Sequence, residues 1–162
     1  MAGLQKLKIS QITVIARKEA TLKKFLMDFT SNTLESEKNS TSLQGLLIDS
    51  KEITPQIEEA DLIVNTTPVG MSTKNKTTIQ AKEIPLGRKI WQHLRPKTTL
   101  YDLIYTPKPT AWLTLGAKNG CKQIDGLEML VQQGAASLRL WSKNDQVPID
   151  IMREAAKKQL NA

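Results

Sequence analysis

The sequence predicts an α/β protein, a doubly wound, mostly parallel sheet with helices on both faces in three layers. Short runs rich in isoleucine, leucine and valine alternate with segments of helical periodicity, the pattern of strands joined by crossover helices. Proline, glycine, asparagine or aspartate stands at most of the junctions. With 162 residues, 40% of them apolar, the chain can bury one ordinary core and falls short of two, so 1–162 is expected to be a single domain.

Each element follows in order. Ile9 to Ala16 reads as a strand with Arg17 and Lys18 at its carboxyl end. From Ala20 to Phe29, Leu22, Phe25, Leu26 and Phe29 recur at helical steps and give one buried face. Ser31 to Ser42 loses periodicity and fills with polar residues, so it reads as a surface loop. Gly45 to Asp49 is a short buried strand, Pro55 to Ala60 one or two helical turns, and Asp61 to Asn65 a third strand closed by Thr66, Thr67 and Pro68. Leu86 to Leu94 reads as a short helix and Thr98 to Tyr105 as a strand. Pro109 to Asn119 is helical, with Pro109 in its first turn and Gly120 just past its end. Cys121 to Ile124 is the last strand. Two closing helices, Leu127 to Trp141 and Ile149 to Leu160, occupy 126–162. The first carries one stripe of Leu127, Leu130, Val131, Gly134, Ala135, Leu138 and Trp141 and another of Met129, Gln133, Ala136 and Leu140, so it expects two neighbours.

Composition narrows the functional classes. The net charge of +7 raises a polyanionic partner, but the cations are spread from Lys6 to Lys158 without a block, and two Tyr, two Phe and three Trp leave little for base stacking. Nucleic acid is therefore not expected. No apolar run approaches the roughly 20 residues that span a bilayer, and no charged-then-apolar leader opens the chain, so a soluble cytoplasmic protein without membrane contact is expected. One cysteine, Cys121, forms no internal disulfide or multi-cysteine metal site and reads as a small buried residue at a strand start. His93 has no carboxylate, serine or cysteine arranged with it in sequence and reads as a surface residue; no metal is expected.

Ligands of open α/β sheets bind at the carboxyl ends of the strands. Three such loops stand out. Arg17-Lys18 occupies a position where a binder of an unphosphorylated dinucleotide places an acid, and positive charge there suits a 2′-phosphate; a solvated strand end fits equally, and Glu19 dilutes the charge. Asn65-Thr66-Thr67-Pro68-Val69-Gly70-Met71 has the polar side chains and backbone punctuation of a loop crossing a cofactor, and also those of an ordinary turn. Tyr105, at the end of Tyr101-Asp102-Leu103-Ile104-Tyr105, carries a hydroxyl able to reach a ligand or to sit in the core. Gln133 interrupts an apolar stripe, so its amide must bond the local backbone or a polar ligand. A phosphate-cradling run of glycines does not occur.

The segments Asn65 to Met71, Tyr101 to Pro107 and Asp125 to Gly134, in this order and spacing, resemble the signatures of the shikimate dehydrogenases. The resemblance runs from about Gly3 to the C-terminus and implies a Rossmann-like NADP-binding domain corresponding to the distal part of a family member. It implies reduction of 3-dehydroshikimate to shikimate with NADPH, in aromatic amino-acid biosynthesis. On matching positions, Tyr105 and Gln133 would contact substrate, Leu103 and Gly126 would lie against the nicotinamide through their backbones, Thr66 would belong to the cofactor loop, and Arg17 would take the 2′-phosphate with Lys18 beside it. The family pattern Asn-Arg-Thr is here Ala16-Arg17-Lys18, and a second basic position falls on Thr21.

The resemblance further implies that the catalytic Lys and Asp, the first strand of the cofactor domain and its glycine-rich loop lie outside this sequence, with Gly3 to Lys8 as the tail of the helix after that loop. Hydride transfer needs a proton-transfer group near the carbonyl, and the chain offers no obvious Lys–Asp pair for that role, so it is expected to be inactive alone. The missing strand belongs mid-sheet, so direct pairing of the two halves is not expected; self-association through exposed strand edges, or a partly unfolded monomer, is. A non-catalytic interaction or regulatory domain of the same fold is the alternative function.

Overall fold

The computed structural model describes residues 9–31, 41–72 and 82–160. The expected polar loop at Ser31 to Ser42 and the helix tail at Gly3 to Lys8 lie largely outside them. The described residues fall into two compact units, Met1–Gln56 and Ile57–Ala162.

In the first unit, β1 (Gln11–Ala16) and β2 (Ser42–Leu47) pair in parallel from Gln11 with Ser42 to Ala16 with Leu47. β2 starts earlier than the apolar run suggests because Thr41 and Ser42 are already bonded to residues 9 and 10: the Thr41 hydroxyl donates to the Ile9 carbonyl at 2.6 Å, and the Ser42 amide to Ser10 at 2.8 Å. A turn closed by the Ser50 amide on the Leu47 carbonyl ends it before Asp49. Helix α1 (Glu19–Ser31) buries Leu22, whose methyls lie against Gly45 of β2. The strand residues Gln11, Thr13 and Gln44 instead form a polar cluster with Gln56 of α2 (Ile53–Glu59), within which the Thr13 hydroxyl donates to Gln56 Oε1 at 2.7 Å. The boundary between the units falls within α2.

The second unit is a parallel sheet in the order β3 (Leu62–Asn65), β4 (Thr99–Asp102), β5 (Lys122–Ile124). A single 3₁₀ helix, Lys89–His93, replaces the helix expected over Leu86 to Leu94. Trp91 and Trp112 are buried with ring centroids 5.3 Å apart, and Leu100 of β4 is wholly enclosed. Helix α3 (Ala111–Lys118) begins later than the proline signal suggests. Pro109 stays outside, and Thr110 caps the helix by accepting the Leu113 amide on its hydroxyl, a position for which threonine is among the preferred residues. Gly120 follows the helix with φ +76°, as expected of a residue just past a helix end. Cys121 is buried beside the start of β5.

Helix α4 (Leu127–Ser142) and helix α5 (Ile149–Leu160) close the chain. Leu127, Val131 and Ala135 of the first stripe are buried. The second stripe is not: Met129, Gln133, Ala136 and Leu140 are exposed, and so are Leu138 and Trp141 of the first. Gln133 therefore lies on a solvated face and faces no burial penalty. The two helices are clasped where Arg153 of α5 donates to both carboxylate oxygens of Glu128, at 2.8 and 2.9 Å.

The α/β class with parallel strands is thus confirmed. The five strands form two separate sheets, and among the described residues β1 is paired only by β2 and β3 only by β4.

Candidate cofactor and substrate site

Arg17 and Lys18 leave the carboxyl end of β1 exposed, and neither forms an ion pair among the described residues. Glu19 does not neutralise them. Its carboxylate meets Lys23 one helical turn on, at 2.7 Å, and the lysine holds it below the usual carboxylate range by hydrogen bond and charge. Two cations at a strand's carboxyl end, without a carboxylate partner among the described residues, suit a phosphate group.

In the second unit the carboxyl ends of β3 and β4 are tied by a buried polar network. Asp102 is 0% exposed, Thr110 1% and Asn65 4%. Asp102 Oδ1 accepts from Asn65 Nδ2 at 3.0 Å and from the Ile104 amide at 3.2 Å, and Oδ2 accepts from the Thr110 hydroxyl at 2.7 Å. Burial still holds the Asp102 carboxyl above its ordinary range, outweighing three donors that act the other way. Because the Asp102 side chain takes the Ile104 amide, the chain turns after Asp102, and β4 ends three residues before the expected Tyr105.

Asn65 organises its own loop in turn. Its carbonyl oxygen accepts from the Thr67 amide and hydroxyl, at 3.0 and 2.8 Å, and its backbone carbonyl accepts from the Leu103 amide at 3.1 Å. The Ser72 amide donates to the Thr106 carbonyl at 2.9 Å, which joins the two loops again. Thr66 is exposed on this loop.

Leu103 and Gly126 are brought together. The Gly126 amide donates to the Ile104 carbonyl at 3.1 Å, and a Cβ on Gly126 would collide with the Leu103 carbonyl. Asp125 fastens this turn: Oδ1 caps the Leu127 amide at 3.0 Å, and Oδ2 pairs with Lys108 at 2.8 Å. The pair borders a cleft of about 270 Å³ shared with Pro109, Leu113 and Gln123, and none of the predicted binding residues lines it. Tyr105 is exposed, and neither its hydroxyl nor the Gln133 amide is bonded among the described residues.

His93 is half-exposed, as expected, but it has a carboxylate partner: Glu58, 35 residues away, lies 2.8 Å from Nδ1. Among the described residues no cluster of three or more metal-ligating side chains occurs, and no helix is long and apolar enough to cross a membrane. The motif reading gives Asn65 and Asp102 no role of their own and does not single out Thr110. A polar residue at the very end of two apolar strands, with a threonine three residues before a helical leucine, is the signal that points to them.

Residues 126–157 match the family model of the shikimate 5′-dehydrogenase C-terminal domain. A shikimate dehydrogenase (NADP(+)) from Prochlorococcus marinus subsp. pastoris is 43% identical over 98% of this chain and 51% of its own length, and one from Nostoc is 38% identical over 99% and 51%. The crystal structure of a Listeria monocytogenes shikimate 5-dehydrogenase in complex with shikimate and NAD superposes with a TM-score of 0.72 at 26% identity, over 90% of this chain and 47% of that one. The chain spans about half the length of the curated relatives it matches. Its three motifs, its parallel α/β sheets and these likenesses agree: over nearly its whole length the chain is similar to the C-terminal part of the shikimate dehydrogenases.

Proposed function

We propose that the chain is the cofactor-binding part, a single partial NADP domain, of an NADP-dependent shikimate dehydrogenase that interconverts 3-dehydroshikimate and shikimate. The observation that carries the cofactor choice is Arg17-Lys18 at the end of β1, without an ion pair among the described residues, and with Glu19 engaged by Lys23. The nicotinamide supplies the hydride when bound. Arg17 grips the 2′-phosphate through its planar donors, and Lys18 adds a point charge. The backbones of Leu103 and Gly126 lie against the nicotinamide end, where the absence of a side chain at 126 permits close packing, and Thr66 lines the cofactor loop. The Tyr105 hydroxyl and the Gln133 amide, exposed and unbonded among the described residues, bind polar groups of the substrate.

Calorimetric titration of the chain with NADP and NAD tests this reading. NADP should bind about tenfold tighter or more, and the preference should vanish when Arg17→Ala and Lys18→Ala are combined, since each lost charge-assisted bond is worth about 1.5–3 kcal/mol. Equal affinities in the unaltered chain would refute the assignment. By itself the chain is expected not to oxidise shikimate: of the Lys–Asp pairs among the described residues, Lys24–Asp28 lies along α1 and Lys108–Asp125 borders a cleft that none of the proposed binding residues lines. NADPH formation above a protein-free blank would contradict that.

A further inference from the structure

A carboxylate with no exposed surface is an expensive group to place at the end of a strand, because its ionised form must give up water for whatever donors the protein provides. Asp102 has three, and each comes from a different place: the end of β3 through Asn65, its own exit loop through the Ile104 amide, and the N-cap of α3 through Thr110. A valine or leucine would fill the same space without that cost. What the carboxylate adds is direction. It turns the chain after Asp102, so that the Leu103 amide reaches the Asn65 carbonyl and the Ile104 carbonyl receives the Gly126 amide. The same Asn65 side chain, held by Asp102, sets Thr67 in the neighbouring loop.

Resting on the cofactor reading above, we propose that Asp102 is a positioning residue for the nicotinamide end of the cofactor: through Asn65, Thr110 and the Ile104 amide it fixes the backbone of residues 103–105 that receives the ring. It touches no ligand itself, being enclosed. Residues that contact the adenosine end, Arg17 and Lys18, stand outside this network.

The test compares two probes on the full chain, NADPH and 2′,5′-ADP, which keeps the 2′-phosphate and lacks the nicotinamide. Asp102→Asn keeps the shape but loses one acceptor, Thr110→Val loses the donor to Oδ2, and Thr110→Ser keeps it. Asp102→Asn and Thr110→Val should weaken NADPH binding about tenfold while 2′,5′-ADP stays within about twofold, and Thr110→Ser should bind both like the unaltered chain. Equal weakening of both probes, or no weakening in a folded variant, overturns the proposal. Should Asp102→Asn fail to fold, Thr110→Val against Thr110→Ser decides it by the same criterion. If the unaltered chain binds neither probe, the cofactor reading has failed. Amide hydrogen exchange then decides the positioning role: faster exchange at Leu103, Ile104 and Thr67 in Thr110→Val but not in Thr110→Ser supports it, and unchanged exchange at these amides overturns it.

Discussion

The carbonyl oxygen of Leu103 occupies the space that a side chain on Gly126 would need. Gly126 has helical-type backbone angles, φ −78° and ψ −1°, open to any residue, so the constraint is room and not conformation. Gly126→Ala should therefore force two loops apart and cost about 2 kcal/mol or more in denaturant unfolding. Gly134→Ala is the contrast, since its Cβ would meet only the terminal methyl of Met152 at 3.3 Å, and alanine favours a helix over glycine by about 1 kcal/mol. It should be neutral or stabilising. Comparable losses in both variants would show that the Leu103–Gly126 contact is not special.

Much of this was legible from periodicity. The helix at Ile149 to Leu160 stands where helical spacing puts it, although none of its residues is buried, and the strand at Ile9 to Ala16 is found two residues shorter, at Gln11–Ala16. The early end of β4 was not legible. It depends on Asp102 finding Asn65 and Thr110, 37 residues before it and 8 after, and no local pattern encodes such a meeting. Gln133 misled for the opposite reason: its stripe is apolar in sequence, yet Met129 and Leu140 beside it remain exposed, so no burial forces the amide to find a partner. The motifs located the loops of the candidate site. The bonds holding those loops needed the structure.

Glu128 gives a pH-dependent signature. Hydrogen bonds from Arg153 and Gln132 lower its carboxyl from the usual 4.5 to about 2. A carboxylate depressed in the folded state contributes stability that is complete above the unfolded value, near 4.5, and is lost as pH falls through about 2. Glu128→Gln should therefore lower the denaturant midpoint by a constant amount from neutral pH down to about pH 5, with the gap to the unaltered chain closing below it. A gap that persists unchanged at pH 2 would mean that the clasp does not act through charge.

Substrate placement is read from kinetics. In a full-length relative, replacing the tyrosine that corresponds to Tyr105 by phenylalanine, or the glutamine that corresponds to Gln133 by alanine, should raise KM for shikimate about tenfold and leave KM for NADP nearly unchanged. Equal effects on both would place these residues elsewhere.

The strand edges make a physical prediction of their own. β1 and β3 each have one side without a strand partner among the described residues, and unpaired backbone groups seek either water or another strand. Self-association of the purified chain should be visible as a mass above that of one chain in light scattering, rising with concentration. A monomer at all concentrations with one sharp two-state thermal transition would contradict this.

On the proposed function, the chain binds NADP through residues at the carboxyl ends of its strands. Amide chemical-shift mapping of the isotopically labelled chain during a titration with NADP tests it most directly. Saturable shifts at Arg17, Lys18, Thr66, Leu103 and Gly126, with the α5 face around Ile151 unmoved, are the predicted result; no saturable shift, or shifts confined to residues away from these loops, would contradict it.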